Sequence, residues 1–273
     1  MSKKKVLIVA QEMDPFTALS EIAEIAYRLP LFLNDNQCEL RLLMPRFGTI
    51  NERRHRLHEV VRLSGMNIIV NDDDYPLIIK VASLPSSRIQ VYFLDNDEFF
   101  KRKSVFEDAN GTYHDDNIDR SVFFCKGAIE TVRKFGWSPD IIHCHGWMTG
   151  LIPLYIRTAY KNDPLFQSSK IVYSLYDAFH QDIKYDEFTM KAAINNLEEE
   201  DMQDFKNGDN ADIHQGAAKY ADAVIIGSKE VSPTIREMLA TGDTPVLEGS
   251  DTEGGFKPYL EFYNTIAAEE VVS

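Results

Sequence analysis

The chain has 273 residues, 44% of them hydrophobic and 26% charged, and it carries a formal net charge of −14 at pH 7. Its length and composition suit one large globular domain or two small ones with a substantial apolar core. The negative charge repels phosphate backbones and anionic lipid headgroups, so neither nucleic acid nor a membrane surface is an expected partner.

The first 45 residues follow a strand–helix–strand pattern. Residues 6–10 form a continuous apolar run of the kind found in strands that are buried on both faces. Apolar residues then recur at helical spacing from Ile22 to Leu33, and a second apolar run at 40–44 ends at Pro45. Two such strands joined by a helix form a parallel pair with a right-handed crossover, which is how a doubly wound sheet begins.

Residues 57–94 lack helical periodicity. They contain short β-rich runs separated by turn-forming clusters, and these runs are 60–63, 66–70, 77–81 and 89–94. The pattern predicts a small antiparallel β insertion at about 57–94.

Helices and strands alternate again after residue 115. The predicted helices are 118–132, 151–160, 213–220, 233–239 and one from about Pro258, and the predicted strands are 141–144, 170–175 and 223–226. The stretch 181–215 is acidic and poor in strand formers, so solvated helices and loops are expected there. The alternation predicts an α/β fold with a single doubly wound, mostly parallel, Rossmann-like sheet, and residues 1–273 as one domain.

The cysteines and the N-terminus predict a cytoplasmic protein. Cys38, Cys125 and Cys144 lie in apolar segments and form no CxxC pair, so buried free thiols are expected. The apolar run at 6–10 is too short for the core of a signal peptide, and no stretch of the sequence approaches the length of a membrane span.

The loop after the first strand carries no phosphate-binding motif. In doubly wound sheets this loop lies at the carboxyl end of the sheet and commonly binds phosphates or sugars. Residues 11–21 contain neither glycine nor lysine, and the sequence has no GxGxxG or Walker pattern, so no cofactor is predicted. His143 and His145 alternate on a strand without a visible third ligand, so no metal site is predicted either.

The N-terminal segment resembles the bacterial glycogen and starch synthases that use ADP-glucose. Residues 5–15 read KVLIVAQEMDP, and the helix that follows ends in Arg-Leu-Pro at 28–30, where the family has Ala-Leu-Pro. Between them the family has Lys-Thr-Gly-Gly-Leu-Ala-Asp-Val, and this chain has ALSEIAEI at 18–25.

The differences fall on the ligand-binding positions of that family motif. The family lysine, which helps to hold the donor phosphates, is Ala18 here. The two glycines, which let backbone N–H groups approach the ligand, are Ser20 and Glu21. Glu24 retains the carboxylate of the family aspartate.

The most specific resemblance lies at 138–151, SPDIIHCHGWMTGL, which is similar to the family's Pro-Asp-Ile-Val-His-Ala-His-Asp-Trp-His-Thr-Gly-Leu. The family aspartate, a sugar ligand, is Gly146 here. Tyr176 stands where the family has a histidine that contacts the transferred glucose, and Asp177 replaces its asparagine. Further segments match in order, so that the resemblance spans nearly the whole chain; they are 42–47, 113–117, 170–177 and 218–228.

The resemblance implies the N-terminal half of a GT-B glycosyltransferase. Enzymes of this type carry their nucleotide-sugar ligands mainly on a C-terminal domain, which we expect to be absent here. Because the first-domain positions are also replaced, we expect no catalytic residue and no turnover by this chain alone. The candidate glucan-binding residues are Glu12, Glu24, His145, Trp147, Tyr176 and Asp177.

Three functional hypotheses follow. The first is a catalytically degenerate glycogen synthase homologue that serves α-glucan metabolism as a glucan-binding or regulatory module. The second is one half of, or a still active, ADP-glucose:α-1,4-glucan glucosyltransferase. In that case a second polypeptide supplies the donor domain and an exposed apolar face marks where the halves meet, and a homo-oligomer is a further arrangement. The third is an unrelated role on an inherited fold.

Overall fold

A computed structural model of the chain describes residues 3–176, 181–194, 197–249 and 254–268. These residues form a ten-stranded mixed sheet flanked by helices, and a two-stranded ribbon. The strands are β1 (Lys5–Ala10), β2 (Glu39–Pro45), β3 (His58–Glu59), β4 (Met66–Val70), β5 (Asp73–Ser83), β6 (Gln90–Asp95), β7 (Ile141–His145), β8 (Lys170–Leu175), β9 (Lys206–Asn207), β10 (Asn210–Ala211), β11 (Ala223–Ile226) and β12 (Val246–Glu248). The α-helices are α1 (Glu21–Asp35), α2 (Glu52–His55), α3 (Asp97–Phe100), α4 (Asn117–Phe135), α5 (Leu151–Arg157), α6 (Tyr185–Ala192), α7 (Ile213–Tyr220), α8 (Pro233–Thr241) and α9 (Lys257–Ala268), and two 3-10 helices cover Trp147–Thr149 and Glu199–Phe205.

The large sheet confirms the predicted doubly wound fold. Its strands lie in the order β12-β11-β8-β7-β1-β2-β6-β5-β3, with β4 also paired to β5, and every pair from β12 to β6 is parallel. The chain moves outward from β1 to β2 and β6 on one side, and from β7 to β8, β11 and β12 on the other. The strand order therefore reverses between β1 and β7. A crevice at the carboxyl ends of these two strands is the usual ligand site of such sheets, and it is called the crevice below.

Strands β1 and β7 are buried along nearly their whole length, because helices flank the sheet. Their register pairs Val9 with Cys144 and Ala10 with His145. The loops that follow, at 11–20 and 146–150, therefore leave the sheet side by side. This pairing places the two most family-like segments of the sequence at one point.

The antiparallel strands extend the main sheet. Strand β6 pairs in parallel with β2 and in antiparallel with β5, so that Phe93 lies opposite both Met44 and Lys80. Across this seam the Asp95 carboxylate is 2.9 Å from Arg46 Nε and 3.0 Å from Lys80 Nζ. The predicted β insertion is thus continuous with the parallel strands.

The predicted strand at 60–63 is wrong. These residues form a turn in which the Leu63 N–H donates to the Val60 carbonyl at 2.9 Å, and Val61 is 78% exposed. The predicted helix at 151–160 ends earlier, at Arg157. The acidic stretch 181–215 also contributes to the core, because Phe188 and Phe205 are fully buried and their ring centroids are 5.2 Å apart.

Helix α9 packs on the N-terminal part of the domain. Lys4 Nζ donates to Asn264 Oδ1 at 2.6 Å, and the ring centroids of Phe256 and Phe32 are 6.3 Å apart. Tyr259 and Tyr263 point inward and are buried. The helix therefore covers part of the sheet next to β7.

Candidate functional site

The loop after β1 is held by a buried carboxylate. Glu12 is fully buried, and its side chain accepts hydrogen bonds from the backbone N–H groups of Leu19 and Ser20, the latter at 3.0 Å. It also accepts from Ser20 Oγ at 2.7 Å, while Ser20 caps α1 by accepting from the Ile22 N–H. Burial raises the pKa of Glu12, and these hydrogen bonds oppose that rise. Glu12 thus stabilises the loop from inside, and its carboxylate is directed at its own chain.

The position of the family aspartate is filled by a neighbouring side chain. Gly146 has a φ of +85°, a conformation that L-residues rarely adopt. A Cβ atom at Gly146 would collide with the carboxamide of Gln11, which is 1% exposed and whose Oε1 accepts from the Met148 N–H at 3.4 Å. A side chain at this position would therefore strain the backbone and require the Gln11 carboxamide to move.

A network of buried histidines and hydroxyls lies below the crevice. The His143 ring nitrogens are 2.6 Å from the Tyr263 hydroxyl and 2.7 Å from the Ser174 hydroxyl. His145 Nδ1 is 2.9 Å from the Tyr176 hydroxyl, and the two imidazole centroids are 3.8 Å apart. His145 Nε2 is buried and has no hydrogen-bond partner among the described residues.

Both histidines are held neutral by their surroundings. Burial lowers the pKa of His145 to about 3, and burial together with the neighbouring His145 ring lowers the pKa of His143 well below its ordinary value. Neutral rings can exchange hydrogen bonds with the hydroxyls around them but supply no positive charge for a leaving phosphate.

The two aromatic candidates are buried. Trp147 is fully buried and packs edge-to-face on Phe106, with ring centroids 5.1 Å apart. Tyr176 is 3% exposed, its hydroxyl contacts His145, and its ring packs directly on Gly227. The interior packing of this chain therefore uses both rings.

The last two candidate residues, Glu24 and Asp177, do not join this network in the described structure. Glu24 lies on the exposed face of α1, where its carboxylate pairs with Arg28 at 2.8 Å. Asp177 lies outside the described residues. The structure thus brings His145 and Tyr176 together, places Glu12 and Trp147 in the interior, and leaves Glu24 at the surface.

Glu21 is a crevice residue that the sequence analysis did not select as a site residue. Its carboxylate accepts a hydrogen bond from Ser228 Oγ at 2.5 Å, which joins the start of α1 to the loop after β11. Burial and the nearby Glu21 charge raise the pKa of Tyr259. Burial is also the main cause of the raised pKa of Tyr176, and Glu21 contributes in the same direction there. The signal was present in the sequence, since Glu21 replaces a glycine of the family motif.

A polar cavity of about 520 Å³ lies beyond the end of β8. Tyr176 forms part of its wall, and its polar lining includes Gln181, Asp182, Asn207, Asn210, Asp212 and His214. Asn210 Nδ2 is 3.4 Å from Asp182 Oδ1, and Asp212 caps α7 by accepting from the Gln215 N–H at 3.0 Å. Amide and carboxylate groups at the mouth of such a cavity suit the hydroxyl groups of a sugar. The sequence carries no motif for this lining, because its residues come from segments that are separated along the chain.

Other kinds of site find little support in the part of the chain that the structure describes. No group of three or more His, Cys, Asp or Glu side chains is placed there to hold a metal ion. No helix within the described ranges is both long enough and apolar enough to cross a bilayer. Cys38, Cys125 and Cys144 are buried free thiols, which confirms the prediction for them.

Comparison with known proteins extends the resemblance seen in the sequence. A family model described as the starch synthase catalytic domain matches residues 5–250. The chain is 37% identical to a glycogen synthase of Chlorobium limicola, over 92% of this chain and 49% of that protein. It is 38% identical to a glycogen synthase of Chlorobaculum tepidum, over 91% of this chain and 53% of that protein. The chain thus spans about half the length of these curated relatives.

A solved structure supports the same fold. The catalytic domain of starch synthase IV from Arabidopsis thaliana, bound to ADP and acarbose, superposes with a TM-score of 0.71 and 21% sequence identity. The superposition covers 97% of this chain and 50% of that one. Family model, relatives and fold agree, and the chain belongs to the starch synthase catalytic domain family.

Proposed function

We propose that this chain binds α-glucan and does not itself transfer glucose, so that it serves α-glucan metabolism as a glucan-binding or regulatory module. The observation that carries the proposal is the contact between Gln11 and Gly146. There the positive φ and the buried carboxamide occupy the place of a sugar-binding carboxylate. An active site of this type depends on preorganised groups around the reacting sugar, and this group is missing.

The charge at the crevice argues in the same direction. Ala18 replaces the lysine that the family resemblance assigns to the donor phosphates, and Glu21 adds a carboxylate that bridges to Ser228. Like charges at close range raise the energy of a bound diphosphate, whereas an active site must lower it. In this proposal the crevice therefore lacks the positive charge that would stabilise a leaving nucleotide.

The polar cavity beyond β8 provides the proposed glucan site. Its volume of about 520 Å³ is within the usual range for small-molecule sites, and its amide and carboxylate groups can pair with vicinal hydroxyls. Asn207 is exposed at the cavity and makes no side-chain contact that the ribbon β9–β10 requires, since those two strands pair through their backbones. It is therefore the best position at which to disturb binding and keep the fold.

Affinity electrophoresis in gels that contain glycogen tests the binding. We expect the protein to be retarded relative to a gel without glycogen, and we expect Asn207→Ala to lose at least half of that retardation. The matched control is Asn34→Ala, an equally polar change on the exposed face of α1. Equal mobility of the unmodified protein in both gels would contradict glucan binding.

A second candidate function is one half of an active synthase, and the half-length match to the relatives favours it. Against it, Leu19 is the large exposed apolar side chain that the described residues place in the loop after β1. A single exposed leucine provides too little apolar surface for a stable interface between two half-proteins.

A transfer assay separates the two functions. Incorporation of labelled glucose from ADP-glucose into glycogen is measured for the chain alone and with the C-terminal half of the Chlorobium limicola glycogen synthase. The positive control joins that same half to the N-terminal half of the Chlorobium enzyme. We expect incorporation only in the control. Incorporation by this chain with the added half would establish the second function instead.

A further inference from the structure

A groove of about 780 Å³ lies away from the crevice, between the β4–β5 hairpin, α4 and the end of α6. Its apolar lining consists of Met66, Ile68, Ile69, Tyr160, Met190 and Ile194. Its volume is that of a site for a small molecule. None of its lining residues belongs to the polar cavity beyond β8.

A lysine lies at the bottom of this groove. Lys126, on α4, is 7% exposed, and its Nζ donates to the Ile69 carbonyl and to the Ala193 carbonyl, each at 3.0 Å. These two carbonyls belong to opposite walls, so the ammonium lies between them. An ammonium group has three N–H donors, and this pair of bonds uses two of them.

The charge of Lys126 is not compensated by a carboxylate. No carboxylate of the described residues lies within ion-pair distance of it, and burial lowers the pKa of Lys126 to about 8. A buried charge without an opposite charge is costly, and the ammonium form gains stability from any anion that enters beside it.

The other charged groups of the groove already have partners or face solvent. Lys191 pairs with Asp119 and Glu187, each at 3.0 Å. Glu130 accepts from Arg133 Nη1 at 2.8 Å and from the Tyr160 hydroxyl at 2.8 Å. Asp72 is exposed at the tip of the hairpin. Lys126 is therefore the buried group at which an incoming anion would gain most.

Apolar side chains are exposed on both rims. Ile69 is 54% exposed on the hairpin, and Met190 is 70% exposed on α6, facing the same groove. Exposed apolar groups that flank a cavity are a common mark of a ligand site. Their position above a lone cation favours a ligand with an apolar body and one negative charge.

We propose that this groove binds a small amphipathic carboxylate, whose carboxylate accepts a hydrogen bond from Lys126 Nζ and whose aliphatic body lies between Ile69 and Met190. The groove shares no lining residue with the proposed glucan site. A negative result for glucan binding therefore leaves the carboxylate proposal to be tested on its own.

Calorimetric titration with octanoate tests the proposal, with 1-octanol as the uncharged ligand of equal length. We expect octanoate to bind at least tenfold more tightly than 1-octanol near neutral pH. Octanoate binds the ammonium form, so its affinity should be constant below about pH 8 and fall about tenfold per pH unit above it, whereas that of 1-octanol should not change.

Two variants separate binding from folding. Lys126→Met removes the cation, but it also removes the two hydrogen bonds that join the walls of the groove and so can affect folding. Met190→Asp is the decisive variant, because Met190 is exposed and its replacement leaves the core intact. We expect Met190→Asp to weaken octanoate at least tenfold, and the control Val61→Asp, at an exposed side chain that does not line the groove, to have no effect. Equal affinity for octanoate and 1-octanol, an octanoate affinity unchanged up to about pH 10, or unchanged binding by Met190→Asp would each overturn the proposal.

Discussion

Gly146 and Gln11 form the contact on which the proposed loss of transfer chemistry depends, and it can be measured as a stability effect. Gly146→Ala forces an L-residue into a φ of +85° and drives its Cβ into the Gln11 carboxamide. We expect it to lower the free energy of unfolding by about 2–4 kcal/mol, the sum of backbone strain and overpacking. Urea denaturation monitored by tryptophan fluorescence provides the measurement.

The two costs can be separated by a double-mutant cycle. Gln11→Ala removes the carboxamide. In that variant Gly146→Ala should lower the free energy of unfolding only by the cost of the strained backbone. We expect the two changes to couple favourably by about 1–2 kcal/mol. Strict additivity would mean that Gln11 moves aside at no cost and that only the backbone strain opposes a side chain at this position.

The buried histidines predict a loss of stability in mild acid. Their folded-state pKa values lie below the ordinary value near 6.5, so below about pH 6.5 the unfolded chain binds protons that the folded protein does not. The free energy of unfolding is therefore highest above about pH 6.5 and decreases as the pH falls below it. Each histidine contributes a slope of about 1.4 kcal/mol per pH unit until its folded pKa is reached, which for His145 is about 3.

Unfolding free energies between about pH 7 and about pH 4.5 test this expectation. His145→Asn, which keeps a polar atom toward Tyr176, should reduce the acid slope by about 1.4 kcal/mol per pH unit. An equal slope in His145→Asn and the unmodified protein would contradict the assignment.

At the residue scale the sequence predicted where the family-like segments lie in the fold, but it did not predict the exposure of their side chains. The segment 138–151 marked the end of β7 as the site, and the structure places it beside the loop after β1. The sequence could not show that the Trp147 ring turns inward onto Phe106, because a position directly after a strand can face either the core or the crevice. Nor could it show that Gln11 fills the space beside Gly146, which depends on how two distant loops meet.

At the scale of elements, a hydroxyl of α9 reaches the central strand β7. Tyr263 is fully buried, and its hydroxyl is 2.6 Å from His143 Nδ1. Tyr263→Phe keeps the ring and leaves a buried nitrogen without that partner. We expect it to lower the free energy of unfolding by about 1–3 kcal/mol.

The matched control for Tyr263→Phe is Tyr92→Phe. The Tyr92 hydroxyl donates to Gln90 Oε1 at 2.8 Å, and Gln90 is exposed, so water can replace the lost bond. We expect a change below about 0.5 kcal/mol there. A similarly small change in Tyr263→Phe would show that the bond to His143 contributes little to holding α9.

The elements themselves were largely predictable, and the exceptions have physical causes. The apolar runs of β1, β2, β8 and β11 are typical of strands buried on both faces, and they form as predicted. The run at 60–63 is as β-rich as these, yet it forms a turn, because its backbone bonds locally and to Ile79. Local propensity is a weak guide where the tertiary pairing of a short segment decides its form.

At the scale of the whole molecule, the antiparallel strands and the parallel strands share one sheet. Strand β6 joins them through a parallel pairing with β2 and an antiparallel pairing with β5, and the ion pairs of Asp95 with Arg46 and Lys80 lie across this seam. The sequence indicated an antiparallel insertion but not this continuity. The residue pattern of a strand such as 90–95 does not show that it pairs in parallel on one side and in antiparallel on the other.

Such continuity predicts a single cooperative unit. Backbone amides of Lys80 and Ala82 in β5, which lie opposite Phe93 and Val91 of β6, should exchange with solvent as slowly as those of Val9 in β1 and Ile142 in β7, because all four lie in inner pairings of the same sheet. Native-state hydrogen exchange followed by NMR at rising urea concentrations measures this directly. We expect the four amides to converge on the free energy of global unfolding. Opening of β5 away from β6 would expose Phe93 and Leu94, which are fully buried. Exchange of Lys80 and Ala82 through a separate opening of lower free energy would contradict the single unit and show that the antiparallel strands open on their own.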